Sequence, residues 1–342
     1  MSKVSVQIVT WNAMNFIFDC LESLMRQSFR DFSVIVIDNG SDDGTVEFVR
    51  ANYPTVSVLE NFKNLGFTKA NNQGILLAKS EYVLTLNADV ILSENFLERL
   101  LAFADTKPDA GSFGGKAFKL YSEPLASGDE ISLREVVRSN ILDTTGLQIF
   151  RSRRVIDRGE GEKDTGQYDR REEVFGICGA CALYRQSALA EVAIKKEYFD
   201  NDFFAYKEDV DLAWRLRLYG FAAWYIPDAV FFHHRQLPTV DENNLVKAIY
   251  QRQSVSKFRR ALSFRNQHLL LVKNDLLINL LFALPWWLLR EVKIILAALI
   301  LEPFQGKSLI EFFQLLPNAL LKRRVIMAHR KVSAKEIRKW FR

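Results

Sequence analysis

Residues 4–45 read VSVQIVTWNAMNFIFDCLESLMRQSFRDFSVIVIDNGSDDGT, and this stretch decides the fold. Val4 to Thr10 is a short β-branched apolar run. Asn12 to Gln27 follows it with helical spacing at Phe16, Cys20, Leu24 and Gln27. Ser33 to Ile37 is a second apolar run, stopped by Asp38-Asn39-Gly40-Ser41; Ser41 or Asp42 then caps a helix that carries Val46 and Val49. The alternation continues with a strand over Thr55 to Leu59, a helix over Phe67 to Ala78 and a strand over Tyr82 to Leu86. Strand and helix in turn predict an α/β fold, a mostly parallel sheet with helices on both faces.

In such a sheet, ligands bind beyond the carboxyl ends of the strands. Four polar clusters fall at predicted strand ends: Thr10-Trp11-Asn12, Asp38-Asn39-Gly40-Ser41, Asn87-Ala88-Asp89 and Glu208-Asp209-Val210-Asp211. Together they suit a phosphate-bearing ligand, a divalent metal and a general base, the outline of a sugar-transfer site. The turn after the first strand, Thr10 to Asn15, has no glycine, which argues against a nicotinamide dinucleotide site. Asp38 suits hydrogen bonds from a pyrimidine imide or a ribose hydroxyl, with Asn39 and Ser41 beside it; an Asx-turn capping the next helix is the plainer reading. Within Asn61 to Gly74, Gly66 permits close backbone approach, and Asn71 and Asn72 place amides on the opening helix.

Asp89 at a strand end suits Mg²⁺ or Mn²⁺ next to a diphosphate, because both ions prefer hard oxygen ligands. One carboxylate wants a further ligand, and His233 or His234, after the apolar run Ala229 to Phe232, is the candidate; an ordinary core or surface histidine is the alternative. The acids of residues 208–211 open a helical pattern, where they meet the helix dipole favourably. A base within hydrogen-bond reach of an acceptor hydroxyl is nonetheless required, and Asp209 is the candidate.

With 342 residues, 49% hydrophobic and 25% charged, the chain is an ordered globular protein of one large or two smaller domains. Cys20, Cys178 and Cys181 make no disulfide framework, and the C-x-x-C pair reads as small core residues rather than a zinc or redox site. No signal peptide is read at the N-terminus, so a cytoplasmic protein is expected. Tyr121 to Gln167 is polar and glycine-dotted, a long surface loop or a flap over the substrate. From Lys257 onward, 17 Lys and Arg face five acids, a net +12 that leaves −7 for the first 256 residues. In that tail, Leu276 to Leu289, Val292 to Leu301 and Leu315 to Leu321 are apolar but interrupted by Pro285, Arg290, Glu291 and Lys293, too short to span a bilayer. With Trp286-Trp287 and flanking basic residues they read as helices lying in a lipid interface. The alternative is a helical subdomain packed on the first domain. Leu and Trp content fits lipid better than nucleic acid, so no nucleic-acid partner is expected.

In their order and spacing these motifs resemble the inverting family-2 glycosyltransferases of the A-type fold, especially the bacterial rhamnosyltransferase-like branch, closely over residues 4 to 235. Thr10, Trp11 and Asn12 stand in its nucleoside-flanking strand, Asp38 and Asn39 in its base-binding segment, and Asn64 and Gly66 in its donor-side loop. Asn87, Ala88 and Asp89 stand where that family has its Asp-x-Asp metal motif, with Asn at the first position. Gly179 and Ala180 lie in an acceptor-side segment, Glu208-Asp209 matches the motif whose aspartate is the base, and His233 aligns with a histidine metal ligand. The resemblance implies a catalytic domain over 1–238 and a basic amphipathic helical region over 239–342. It further implies Mg²⁺ or Mn²⁺, a dTDP- or UDP-sugar donor, and a glycan or polyprenyl-diphosphate-linked acceptor at the cytoplasmic membrane face. A sugar-phosphate nucleotidyltransferase would need a glycine-rich triphosphate loop that is absent. A non-catalytic scaffold would have lost the base, yet Asp209 and Asp89 are both present.

Overall fold

The computed structural model describes residues 2–124, 134–234 and 254–342; the expected domain boundary at 238/239 lies outside the described residues. The opening alternation forms β1 (Val4–Thr10), α1 (Met14–Met25), β2 (Phe32–Asp38), α2 (Thr45–Asn52), β3 (Ser57–Glu60), α3 (Phe67–Leu77) and β4 (Tyr82–Asn87). Next come β5 (Val90–Leu92), α4 (Phe96–Ala104), β6 (Ala110–Pro124), β7 (Arg134–Thr144), β8 (Leu147–Ile149), β9 (Val155–Asp157) and β10 (Glu172–Glu173). They are followed by β11 (Cys181–Arg185), α5 (Gln186–Val192), α6 (Glu208–Leu218) and β12 (Ala222–His233). The C-terminal region is helical: α7 (Lys257–Asn274), α8 (Leu277–Phe282), α9 (Leu284–Leu301), α10 (Gln305–Ala328) and α11 (Ala334–Arg338).

One ten-stranded sheet runs β10-β12-β6-β11-β4-β1-β2-β3, with β5 on β12 and β7 on β6. The half from β3 to β4 is parallel, as the alternation predicts. The other half is mixed, because β11 enters beside the carboxyl end of β4 and runs back along it, from Cys181 opposite Leu86 to Arg185 opposite Tyr82. That reversal is what carries Gly179 and Ala180 to the crevice mouth. The stretch read as a loop or flap over 121–167 instead supplies the end of β6 and, among its described residues, β7, β8 and β9. Within it β8 and β9 pair with each other, from Leu147 opposite Asp157 to Ile149 opposite Val155, and β7 pairs with β6.

Strand alternation sorts the core onto two faces. Val4, Val6, Ile8, Leu84, Leu86 and Leu183 pack with α1 and α4, whereas Val83, Ala182 and Tyr184 pack with α5 and α6. Leu269, Leu270, Ala319, Ile326, Ile337 and Phe341 from the C-terminal helices join the second cluster. These helices therefore pack on the α6 side of the sheet, as the subdomain alternative has it. Their other side is apolar and open: Leu281, Trp286, Leu289, Ile310 and Phe313 are exposed, and Ile300 is 73% exposed. Among the described residues no helix is long and apolar enough to cross a membrane. Cys20, Cys178 and Cys181 are free thiols, and Cys20 and Cys181 are buried in the core.

Candidate active site

The carboxyl ends of β1, β2 and β4 form one side of a crevice. Asp38 is fully buried, and its carboxylate is filled from within the protein. Thr10 Oγ1 (2.8 Å) and Ser41 Oγ donate to Oδ1, and the Gly40 (3.0 Å) and Ser41 (2.8 Å) N–H groups donate to Oδ2. A carboxylate has about four acceptor positions, so the hydrogen bonds of Asp38 are taken up in building the turn, as the Asx reading has it. Asn39 is likewise buried, donating to the Gly66 carbonyl (3.2 Å) and accepting from Asn61 (3.1 Å). Asn12 sits at φ 52°, accepts from the Asp42 N–H (3.0 Å) and tightens the same corner. Trp11 between them is 59% exposed, an indole open to the crevice edge.

Asn64 Oδ1 accepts the Gly66 N–H at 2.9 Å. Gly66, at φ +91°, is required by a neighbour: a Cβ there would meet the Phe204 ring at 2.5 Å. Asn71 is buried against β1, where its Oδ1 accepts from Gln7 Nε2 at 2.7 Å, and Asn72 ties α3 to the backbone of Phe199. The amides read as open on a helix are structural, because α3 lies flat on the sheet and its polar face needs partners there.

Past β4 the chemistry concentrates. Asp89 Oδ1 lies 3.3 Å from His233 Nε2, and His233 Nδ1 is 2.8 Å from Asp143 Oδ2. β12 pairs with β5 in a register that sets His233 opposite Val90, which fixes this contact. The His234 N–H donates to the Asp89 carbonyl (2.9 Å), and its ring lies 5.5 Å from Phe16, so the structure sets His233, not His234, on the carboxylate. Burial alone would lower the His233 pKa, but hydrogen bonds to Asp143 and Asp89 and their charges outweigh it and raise it to about 10. His233 thus bridges two carboxylates, Asp89 and Asp143. Asp143 was not singled out from the sequence, since it lies in the stretch read as loop.

Ala88 is buried, and Asn87 Oδ1 beside it is buried without a hydrogen-bond partner. Among the described residues, no group of three or more His, Cys, Asp and Glu side chains is arranged to hold a metal. Asp89 and His233 nonetheless fit Mg²⁺ or Mn²⁺. These ions are commonly held by one or two side chains, with phosphate oxygens and water completing the shell, and a histidine ligand commonly leans on a carboxylate as His233 leans on Asp143.

Gly179 and Ala180, expected on the acceptor side, are joined to β4 and α6 by hydrogen bonds. The Asn87 N–H donates to the Ala180 carbonyl (2.9 Å), and the Gly179 N–H donates to Asp209 Oδ2 (3.0 Å). Gly179 suits its place because a Cβ would come within 3.1 Å of the Asp209 Cβ. Asp209 Oδ1 also accepts the Val210 N–H (2.8 Å). Burial raises the Asp209 pKa; Asp157 adds to the rise, while the Gly179 and Val210 N–H groups and Lys207 oppose it. Glu208 is buried, its Oε2 has no partner, and burial followed by repulsion from Asp209 pushes its pKa up to about 8. Asp211 points away into the protein, held by Lys273, Arg215 and Asn274. Of the three acids, only Asp209 and Glu208 are left for chemistry. Asp157 and Lys207 complete this corner and were not anticipated, because nothing in β9 or in the residue before an acidic run marks them.

Comparison with known proteins bears on this geometry. The profile of Glycosyl transferase family 2 matches residues 5–193, and that of Glycosyl transferase family group 2 matches residues 153–304. The N-acetylglucosaminyl-diphospho-decaprenol L-rhamnosyltransferase of Mycobacterium tuberculosis is 29% identical over 228 residues, 63% of this chain and 70% of that one. The structure of S. aureus TarS 1-349 in complex with UDP superposes with a TM-score of 0.55 at 18% identity, covering 98% of this chain and 89% of that one. GalNAc-T7 with UDP, GalNAc and Mn²⁺ superposes with a TM-score of 0.53 at 12% identity, covering 79% and 51%. At these identities the two structures share the fold alone.

Proposed function

Because the chain belongs to glycosyl transferase family 2, we propose that it moves rhamnose or a similar sugar from a dTDP- or UDP-sugar to a hydroxyl on a polyprenyl-diphosphate-linked glycan, with inversion, in bacterial cell-envelope polysaccharide synthesis. The observation that carries this reading is the continuity from Asp89 and His233, through Asn87 and Ala180, to Gly179 and Asp209. It sets a candidate phosphate-side centre beside a candidate base in one crevice.

In this reading Trp11 lies along the nucleoside, and the turn built by Thr10, Asn12, Asp38, Asn39, Asn64 and Gly66 shapes the donor pocket. Asp209, held by two backbone N–H groups, takes the proton of the acceptor hydroxyl. The oxygen attacks the anomeric carbon from the face opposite the leaving nucleoside diphosphate, so the configuration inverts without a covalent enzyme intermediate. Asp89 and His233 would hold Mg²⁺ or Mn²⁺, which supplies positive charge to the departing diphosphate. Residues 1–238 carry the catalysis, and the basic region 239–342 rests its exposed apolar side on the cytoplasmic face of the membrane. The net +12 of the tail from Lys257 supports that placement, each charge near an anionic leaflet contributing about 1 kcal/mol. A nucleotidyltransferase lacks support, since the turn after β1 has no glycine.

A thermal-shift panel of UDP, dTDP, GDP and CMP, with and without Mn²⁺, tests the donor side. UDP or dTDP is expected to stabilise the protein, by about 2.7 kcal/mol at a hundredfold excess over Kd. Asp209→Asn is expected to keep that shift while losing about 10²–10⁴-fold in transfer rate. Near-normal transfer by the folded variant refutes Asp209 as the base.

A further inference from the structure

The segment 204–207 that leads into α6 carries an uncommon backbone. Phe204, Tyr206 and Lys207 stand at φ 63°, 70° and 69°, a region that bulky side chains rarely adopt. At Phe204 (ψ −60°) the Ala205 N–H donates to the Phe203 carbonyl at 2.7 Å, closing the rare and strained form of the three-residue γ-turn. Such a conformation persists only where its surroundings hold it.

The hold comes from α7. Asn266 is fully buried, and its amide nitrogen donates to the carbonyls of Phe203 (2.9 Å), Ala205 (2.8 Å) and Tyr206 (2.8 Å). Three acceptors thus share the two N–H bonds of one amide, whose oxygen accepts from Arg265 Nε at 3.1 Å. The Arg265 guanidinium reaches the carbonyls of Asp202 (2.9 Å) and Phe203 (3.2 Å) and is anchored on Glu311 of α10 at 2.8 Å. The Phe204 carbonyl, turned out of that row, accepts the Thr68 N–H of α3 at 3.1 Å. Its ring fills the space that a side chain at Gly66 would need and meets Phe258 edge-on, with centroids 5.8 Å apart. The Lys207 carbonyl then accepts the Asp211 N–H (2.9 Å), opening α6 with Asp209 inside its first turn. Filling the space at Asn266 would take only an apolar side chain. An amide whose donors are all spent on loop carbonyls dictates the loop's conformation as well.

We propose that Asn266, assisted by Arg265, is a positioning residue for the transfer reaction. From outside the crevice it fixes the 203–207 turn, and that turn sets Asp209 against Gly179 and the Phe204 ring against Gly66. This rests on the glycosyl-transfer reading and deepens it. One amide on α7 thereby places the base and the donor-side loop relative to each other, so α7 belongs to the catalytic framework.

The test compares wild type with Asn266→Leu, which keeps the volume and removes the donors, and with Arg265→Lys, which keeps the charge on Glu311 but loses the fork. Each full-length protein is titrated calorimetrically with UDP and dTDP and followed by amide hydrogen exchange. Each is also assayed for transfer from dTDP-rhamnose and UDP-N-acetylglucosamine to N-acetylglucosamine linked to citronellyl diphosphate. Asn266→Leu is expected to keep nucleotide Kd and acceptor KM within about threefold while kcat falls about 10²-fold, the scale of a misplacement of about 1 Å at the reacting groups. Arg265→Lys should lower kcat about tenfold. In both variants the amides of 204–211 should exchange about tenfold or more faster, and those of the parallel strands should not. A lowered Tm with wild-type kcat makes the role structural and overturns the proposal. Unchanged exchange over 204–211 overturns it as well, and that arm needs no acceptor. Should Asn266→Leu fail to fold, seen as lost nucleotide binding, Arg265→Lys decides on the same readouts. A wild type that binds neither UDP nor dTDP overturns the glycosyl-transfer reading and the positioning role with it.

Discussion

Removing the Lys273 ammonium should loosen the joint between the catalytic helix and the C-terminal helices. Lys273 on α7 pairs with Asp200 and, at 2.8 Å, with Asp211 on α6; all three side chains are at most 3% exposed. Lys322 on α10 pairs with Asp200 as well, and with Glu197 and Asp202 at 3.0 Å each. Lys273→Met keeps the side-chain length but leaves two buried carboxylates short of a cation. Breaking a buried pair by deleting one partner costs about 3–5 kcal/mol. Here Asp200 retains Lys322, and Asp211 retains Arg215 (2.9 Å) and Asn274 (2.7 Å), which argues for the low end, about 3 kcal/mol. At about 2 °C per kcal/mol for a chain of this size, Tm falls by about 6 °C. The sign with pH follows from Asp200. Burial would raise its pKa, but Lys273 and Lys322 outweigh burial and hold it below the ordinary value. Its contribution is therefore present above about pH 4 and lost as pH falls below it. Thermal melts of wild type, Lys273→Met, Asp200→Asn and the double variant at pH 7 and about pH 3 check this. The double-mutant coupling should exceed about 1 kcal/mol at pH 7 and shrink at about pH 3. A Tm change under about 2 °C at pH 7, or a gap that widens on acidification, refutes the reasoning.

Asp143→Asn removes the charge behind His233 and should lower Mn²⁺ affinity, measured with UDP bound, by about 10–100-fold; an unchanged Mn²⁺ titration counts against His233 as a ligand. Glu208 carries a folded-state pKa of about 8, above the ordinary glutamate value. Its burial is therefore harmless at low pH and destabilises the fold as pH rises toward and through 8. Glu208→Gln should accordingly raise Tm at pH 9 more than at pH 5, and a pH-independent difference would contradict this. The exposed apolar side of α8 to α10 should bring the protein to anionic vesicles in a flotation assay, with Trp286→Ala and Leu289→Glu reducing recovery and raised salt weakening it. Equal recovery on neutral vesicles at high and low salt would remove the electrostatic part of the argument.

Local chemistry explains why the first half of the site was legible. β1 and β4 are buried on both faces, so each reads as a mostly apolar run, and a polar cluster at its end marks the crevice without any tertiary information. Asp209 became a candidate by the same kind of reading, as an acid in the first turn of a helix. Asn71 and Asp38 show the limit of such reading: residue type and position suggested ligand contacts, but the packing of α3 on β1 and the closure of the turn on Asp38 occupied their hydrogen bonds internally.

The sequence by itself determined the parallel half of the sheet, the four strand-end motifs, the absence of a dinucleotide loop and the basic apolar tail. These follow from periodicity and composition over a few neighbouring residues. Only the tertiary structure decided the antiparallel return of β11, the strands hidden in the polar stretch after residue 120, and the Asp143–His233–Asp89 alignment. It alone also decided the two-sided character of the C-terminal helices. Each of these depends on contacts between residues far apart in the chain, where a polar side chain acquires its meaning from the partner that the fold sets against it and from the water that the fold excludes.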